Sequence, residues 1–165
     1  MENLNILKGK KVLIVDDEPD VLETLTELLD MCIIDSAQNF EDAKELLNKN
    51  IYDVLIFDIM GVKGYDLLEI AKQKGRPALM LTAHALSPDD LVKSIEGSAR
   101  AYIPKEKMPE IATYVADLLK DHQEGKKHRR WFSRLKAFFD RQFGTEWIEQ
   151  HKEFWDKYYW LYPDE

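Results

Sequence analysis

One cysteine, seven glycines and four histidines in 165 residues leave little material for several kinds of chemistry. The lone Cys32 excludes an intrachain disulfide and a cysteine-based metal site, and its apolar neighbours point to a buried thiol. No run of about 18 apolar residues occurs, so no membrane-spanning helix is expected. The N-terminus mixes Asn, Leu, Lys and Gly without an apolar h-region, so no signal peptide is expected and the chain reads as cytoplasmic. No glycine-rich loop follows the first apolar run, which argues against nucleotide binding. A net charge of −8 argues against general nucleic-acid binding.

What is present suffices for a core. The chain is 45% hydrophobic and 33% charged, and its length suits one domain with an appendage. Its composition breaks near Glu124. All four tryptophans and 12 of the 18 aromatic residues lie from Glu124 onward, where nine Lys/Arg nearly balance eight Asp/Glu. The expected units are therefore 8–123 and a helical extension over 124–165.

Strand and helix signals alternate five times before the break. Val12–Val15 is a short apolar run ending at Asp16-Asp17, and Pro19 then stands where a first helical residue would. Val21, Leu22, Leu25, Leu28 and Leu29 recur at helical spacing. A second strand covers Cys32 to Ala37, and Asn39 caps a helix with Ala43, Leu46 and Leu47 inward. Val54 to Phe57 is apolar throughout, as a strand covered on both faces requires, and it ends at Asp58. After a turn at Gly61–Gly64 comes a third helix, then a fourth strand from Ala78 to Leu81 ending at Thr82-Ala83. Ser87-Pro88-Asp89-Asp90 opens the fourth helix, Ala101–Ile103 is a brief fifth strand, and Pro109 opens the fifth helix. This alternation predicts an α/β fold, a doubly wound five-stranded parallel sheet.

Asp16, Asp17, Asp58, Thr82 and Lys105 all fall at C-terminal strand ends, which converge on one edge in such a sheet. Crowded carboxylates bind protons or a cation, and oxygen ligands without His or Cys suit Mg²⁺. With that charge offset, Asp58 is free to act as a nucleophile toward phosphorus. Lys105 would neutralise phosphoryl oxygens and the Thr82 hydroxyl would donate to one. Each residue alone has a plainer reading: Asp17 or Glu18 as a helix cap, Thr82 as a turn former, Tyr102 as core, Lys105 as a solvated loop residue.

Four pieces together resemble the receiver domain of two-component response regulators: Val-Leu-Ile-Val-Asp16-Asp17-Glu18-Pro19, Asp-Val-Leu-Ile-Phe-Asp58-Ile-Met, Leu-Thr82-Ala83 and Ala-Tyr102-Ile-Pro-Lys105. The resemblance implies a flavodoxin-like sheet in the order 2-1-3-4-5. It implies that Asp58 takes phosphate from a sensor histidine kinase or phosphotransfer protein. Asp16, Asp17, Asp58 and the Met60 carbonyl would hold Mg²⁺, with Asp16 acting through water. Thr82, Ala83, Tyr102 and Lys105 would bind the phosphoryl group and switch the surface, while Met60 and His84 would tune its lifetime. Such a chain is no enzyme beyond its own aspartyl phosphorylation and dephosphorylation. The sequence departs from the family in a shortened loop after Asp58 that lacks the usual proline. Glu106 also replaces the proline that usually follows the lysine, so a cis bond is not expected there, a non-proline cis bond costing about 2.5–4 kcal/mol.

Beyond Glu124, Trp131, Leu135, Phe138, Phe139 and Gln142 share one helical face, with Phe132 and Phe143 flanking. After a break at Gly144, with Thr145 as N-cap, Trp147, Ile148, His151, Phe154, Trp155, Tyr158 and Tyr162 repeat the pattern. Two apolar faces must pair or dock, back on the same chain or between protomers. A homodimer or protein partner through these aromatics is expected, ahead of membrane contact or DNA. His128 and His151 read as surface residues. Two classes of function follow: a phosphorylation switch with output through protein contacts, and a constitutive interaction scaffold with a degenerate pocket.

Overall fold

The computed structural model describes residues 4–83, 87–125 and 130–161, the last three by backbone alone. His84, His128, the basic run at 126–129 and Tyr162 lie outside the described residues. Five strands, β1 (Lys11–Val15), β2 (Ile33–Ala37), β3 (Val54–Asp58), β4 (Ala78–Thr82) and β5 (Ala101–Pro104), form one parallel sheet in the order β2-β1-β3-β4-β5. Five helices connect and follow them: α1 (Pro19–Leu28), α2 (Phe40–Lys49), α3 (Gly64–Gln73), α4 (Pro88–Glu96) and α5 (Ile111–Glu124). This is the doubly wound arrangement expected from the alternation, in the flavodoxin-like order that the resemblance implies.

Burial explains the strand composition. Every residue of β3 and β4 is buried, and the polar ones, Asp58 and Thr82, come only at the last position. The β2 edge is looser, with Ile33 55% exposed. Local chemistry starts the helices where anticipated. Asn39 Oδ1 accepts from the Asp42 amide at 2.8 Å and Ser87 Oγ from the Asp90 amide at 3.1 Å, while Pro19 and Pro88 open their helices.

Several expectations need correction. Pro109 lies inside a 3₁₀ segment, Lys105–Glu110, and α5 begins only at Ile111. Cys32 is half-buried, its thiol donating to the Leu7 carbonyl at 3.4 Å. Beyond α5 come α6 (Arg130–Phe143) and α7 (Lys152–Leu161), but Thr145 does not cap the second. Gly144 ends α6 at φ 86°, a turn follows, and a 3₁₀ segment at Glu149–His151 leads into α7. The cause is Trp147, which is buried and donates its indole N–H to Asp140 at 2.8 Å, drawing the connection inward. On α6 the inward stripe includes Phe132 rather than Gln142, which is exposed.

The two helices pair through aromatic contacts. Phe132 and Trp155 stack with centroids 4.7 Å apart, Trp147 meets Trp155 edge-on at 5.3 Å, and the Trp131 indole donates to the Tyr158 hydroxyl at 3.1 Å. Through α6 the pair packs in cis against α5 and β5, so its aromatic core and that of the sheet form one buried cluster.

Candidate functional site

Parallel register brings the strand-end acids together. Val15 pairs with Phe57, so Asp16 and Asp58 stand side by side one step further on. The Asp16 amide donates to the Ala37 carbonyl at 3.1 Å, which holds the end of β1 as an extension of the sheet. Both carboxylates are buried, at 1% and 6% exposure, whereas Asp17 and Glu18 are exposed.

Lys105 arrives from the far end of the sheet. Its Nζ lies 2.8 Å from Asp16 Oδ2, 3.2 Å from Glu18 Oε1 and 3.5 Å from Asp58 Oδ1. Burial acts to lower the lysine's pKa, but the hydrogen bond and attraction from Asp16, then Asp58, outweigh it and raise it. Asp16 is also raised, because burial exceeds the help it receives from Lys105 and from the Glu18 amide at 2.9 Å. Asp58 is pushed up to about 7, first by burial and then by the charge of Asp16, with Asp17 adding to it and Lys105 opposing. One ammonium thus serves Asp16 first, and Asp58 is the surplus acid.

That surplus is what a cation would relieve. Asp16, Asp17 and Glu18 each offer an oxygen within 4.8 Å of the others, and Asp17 is close enough to raise the Asp58 pKa. An all-oxygen set of this kind fits a hard divalent ion such as Mg²⁺. The residues present therefore suit the ion that the resemblance implies.

Two features of the site were not singled out from the sequence. Glu18 does not cap α1 with its side chain, and joins Lys105 instead. Gly61, at φ 82°, lies under the Asp17 carboxylate, where an added Cβ would come within 2.7 Å of Asp17 Cγ. The shortened loop needs a glycine there for both reasons. Its spacing, three residues past Asp58, was the available signal. Lys63 adopts the left-handed conformation (φ 56°), Val62 is buried, and Met60 is 66% exposed at the rim.

The remaining expected residues fall nearby. Thr82 is buried at the end of β4, one position past the residue that pairs with Asp58, and Ala83 is exposed. Tyr102 pairs with Met80, which places its side chain on the same face of the sheet as Thr82. No cis peptide bond occurs among the described residues.

Residues 12–116 match the family model of the response regulator receiver domain. The chain belongs to that family. Over 103 residues it is 37% identical to a two-component response regulator of Arabidopsis thaliana, covering 59% of this chain and 16% of that protein. Over 100 residues it is 38% identical to the transcriptional regulatory protein CpxR of Escherichia coli, covering 58% of this chain and 42% of that one. The chain thus spans less than half the length of these curated relatives. Among solved structures, a CheY-like receiver domain protein from Methanospirillum hungatei superposes with a TM-score of 0.66 at 24% identity, over 72% of this chain and 99% of that one. The BeF3-activated DrrB receiver domain gives 0.61 at 24% identity, over 68% and 98%. These likenesses show the fold. Helices α6 and α7 lie beyond the matched receiver residues.

Proposed function

We infer that this receiver is a phosphorylation switch in which Asp58 accepts a phosphoryl group from the phosphohistidine of a sensor histidine kinase or phosphotransfer protein. The observation that carries this reading is the pocket itself: a buried carboxylate at a strand end, flanked by Asp16 and Asp17, with Lys105 Nζ 3.5 Å from its oxygen. An Asp58 oxygen attacks phosphorus, the bond from phosphorus to the donor nitrogen breaks, and its electron pair stays with the departing imidazole. Asp16, Asp17, Asp58 and the Met60 carbonyl would hold Mg²⁺. When bound, that ion supplies positive charge against the acids and the phosphoryl oxygens. Lys105 would turn from Asp16 toward the new phosphoryl group, and the Thr82 hydroxyl and Ala83 amide would donate to it. Met60, at the exposed rim, and His84 would govern access of water to the acyl phosphate. A change at Thr82 and Tyr102 would then be read on the surface of α4, β5 and α5 by protein contact. This reading divides the chain into a receiver at 8–123 and an extension at 124–165. It suits a cytoplasmic protein, and no described helix is long and apolar enough to cross a membrane.

Incubation with acetyl phosphate and Mg²⁺ tests the reading by intact-mass measurement. A hydroxylamine-sensitive phosphoryl adduct should form on the wild type and be absent from Asp58→Asn. An adduct that survives this substitution would overturn it. The alternative, a constitutive scaffold, draws support from the cover that α6 already provides over β5. It requires Asp58→Ala to leave partner binding unchanged.

A further inference from the structure

Strand β5 is an edge of the sheet, yet all four of its residues are buried. The cover is α6. The Phe139 ring meets the Tyr102 ring with centroids 6.0 Å apart and planes at 49°, and neither side chain is exposed. Charges frame this contact. Arg130 pairs with Asp121 at 3.0 Å and Arg134 with Asp117 at 3.2 Å, both across to α5. Lys107 lies 5.7 Å from the Phe138 ring, and His151 reaches Asp89 at the start of α4 at 2.6 Å. The extension therefore touches α4, β5, α5 and the segment between the last two.

Sheet register runs a short line from this contact to the pocket. Asp58 is in register with Leu81, Thr82 follows, and Tyr102 shares the face of Thr82 on the next strand. Behind Tyr102 stands Phe139, which in turn packs on Phe143 at 5.7 Å and Trp147 at 6.0 Å, inside the aromatic core of the extension. An edge strand alone would leave Tyr102 a path to solvent. Docked α6 closes that path.

We propose that Phe139 is a positioning residue for the pocket: docked α6 holds the Tyr102 ring behind Thr82, so docking of the extension and occupancy of the Asp58 pocket favour one another. The inference rests on the phosphoacceptor reading above. Its sign follows from ordering. A ligand that needs Thr82 and Tyr102 in one arrangement binds more tightly when that arrangement is already imposed. Linkage then makes the effect reciprocal, so a filled pocket tightens the docking of α6. A purely structural cover would contribute stability and leave ligand affinity unchanged.

The test uses the full chain with Mg²⁺ and beryllofluoride as the phosphoryl mimic. Bound fluoride is read by ¹⁹F NMR, and the extension by tryptophan emission, since all four tryptophans lie in it. Phe139→Ala and Arg134→Glu should each weaken beryllofluoride binding by about five-fold or more. Arg134→Glu combined with Asp117→Arg should restore it, and beryllofluoride should shift tryptophan emission in the wild type. The charge-swap pair keeps the test valid should Phe139→Ala fail to fold. Equal affinities in wild type, Arg134→Glu and the swapped pair would overturn the coupling while leaving the phosphoacceptor reading in place. Absence of any bound-fluoride signal in the wild type would sink both.

Discussion

Lys105 and Asp16, 89 positions apart in the chain, form a buried ion pair with Nζ 2.8 Å from Oδ2 and the carboxylate 1% exposed. It joins the segment after β5 to the end of β1 across the top of the sheet. Removing one partner of such a pair strands the other. Lys105→Ala is expected to destabilise the metal-free protein at pH 8 by on the order of 3 kcal/mol. The loss should shrink as pH falls, because burial raises the Asp16 pKa and, without Lys105 to oppose it, the acid takes up a proton more readily. Urea unfolding over a pH series, in EDTA, checks this.

Asp58 gives a second pH dependence with a definite sign. Its folded pKa is about 7 against an ordinary 3.8, so between these values the folded state holds more protons than the unfolded one. Stability of the metal-free protein should therefore fall as pH rises from about 4 through about 7 on account of this group. Asp58→Asn should melt above wild type at pH 8 in EDTA, by about 2–4 °C for each kcal/mol relieved, and the gap should close near pH 4. Added Mg²⁺ should narrow it from the other side. Thermal melts over a pH series decide the matter.

Gly61→Ala tests the loop. The new methyl group would meet the Asp17 carboxylate, and the positive φ would strain the backbone as well. Displacement of that acid should weaken Mg²⁺ binding by about ten-fold or more, as loss of a group supporting a metal ligand does. Isothermal titration with Mg²⁺ reads this directly. An unchanged affinity would mean that Asp17 contributes little to holding the ion.

Within the extension, the Trp131 indole N–H donates to the Tyr158 hydroxyl in a buried setting. Tyr158→Phe removes the acceptor and leaves that donor stranded. A loss of about 1–2 kcal/mol is expected, seen as a lower denaturation midpoint by tryptophan emission.

Much of the fold was legible because its signals are local. The apolar run of β3 ahead of Asp58, the prolines opening α1 and α4, and the caps at Asn39 and Ser87 each depend on neighbours a few positions away. The start of α7 was misread for the opposite reason. Thr145 has the chemistry of a cap, but burial of Trp147 against α6 and α7 overrides it. The Pro109 boundary failed similarly, the backbone there turning as a 3₁₀ segment before α5 begins.

By itself, then, the sequence determined the alternation of strand and helix, the acids at strand ends and the amphipathic character of the extension, since these are patterns of period and position along one chain. Tertiary structure alone decided that Lys105 serves Asp16 before Asp58, that Glu18 joins it, that Gly61 makes room for Asp17, and that Phe139 lies on Tyr102. Each of these depends on the distance between elements remote in sequence, which is set by sheet register and by where an apolar helix face finds its cover.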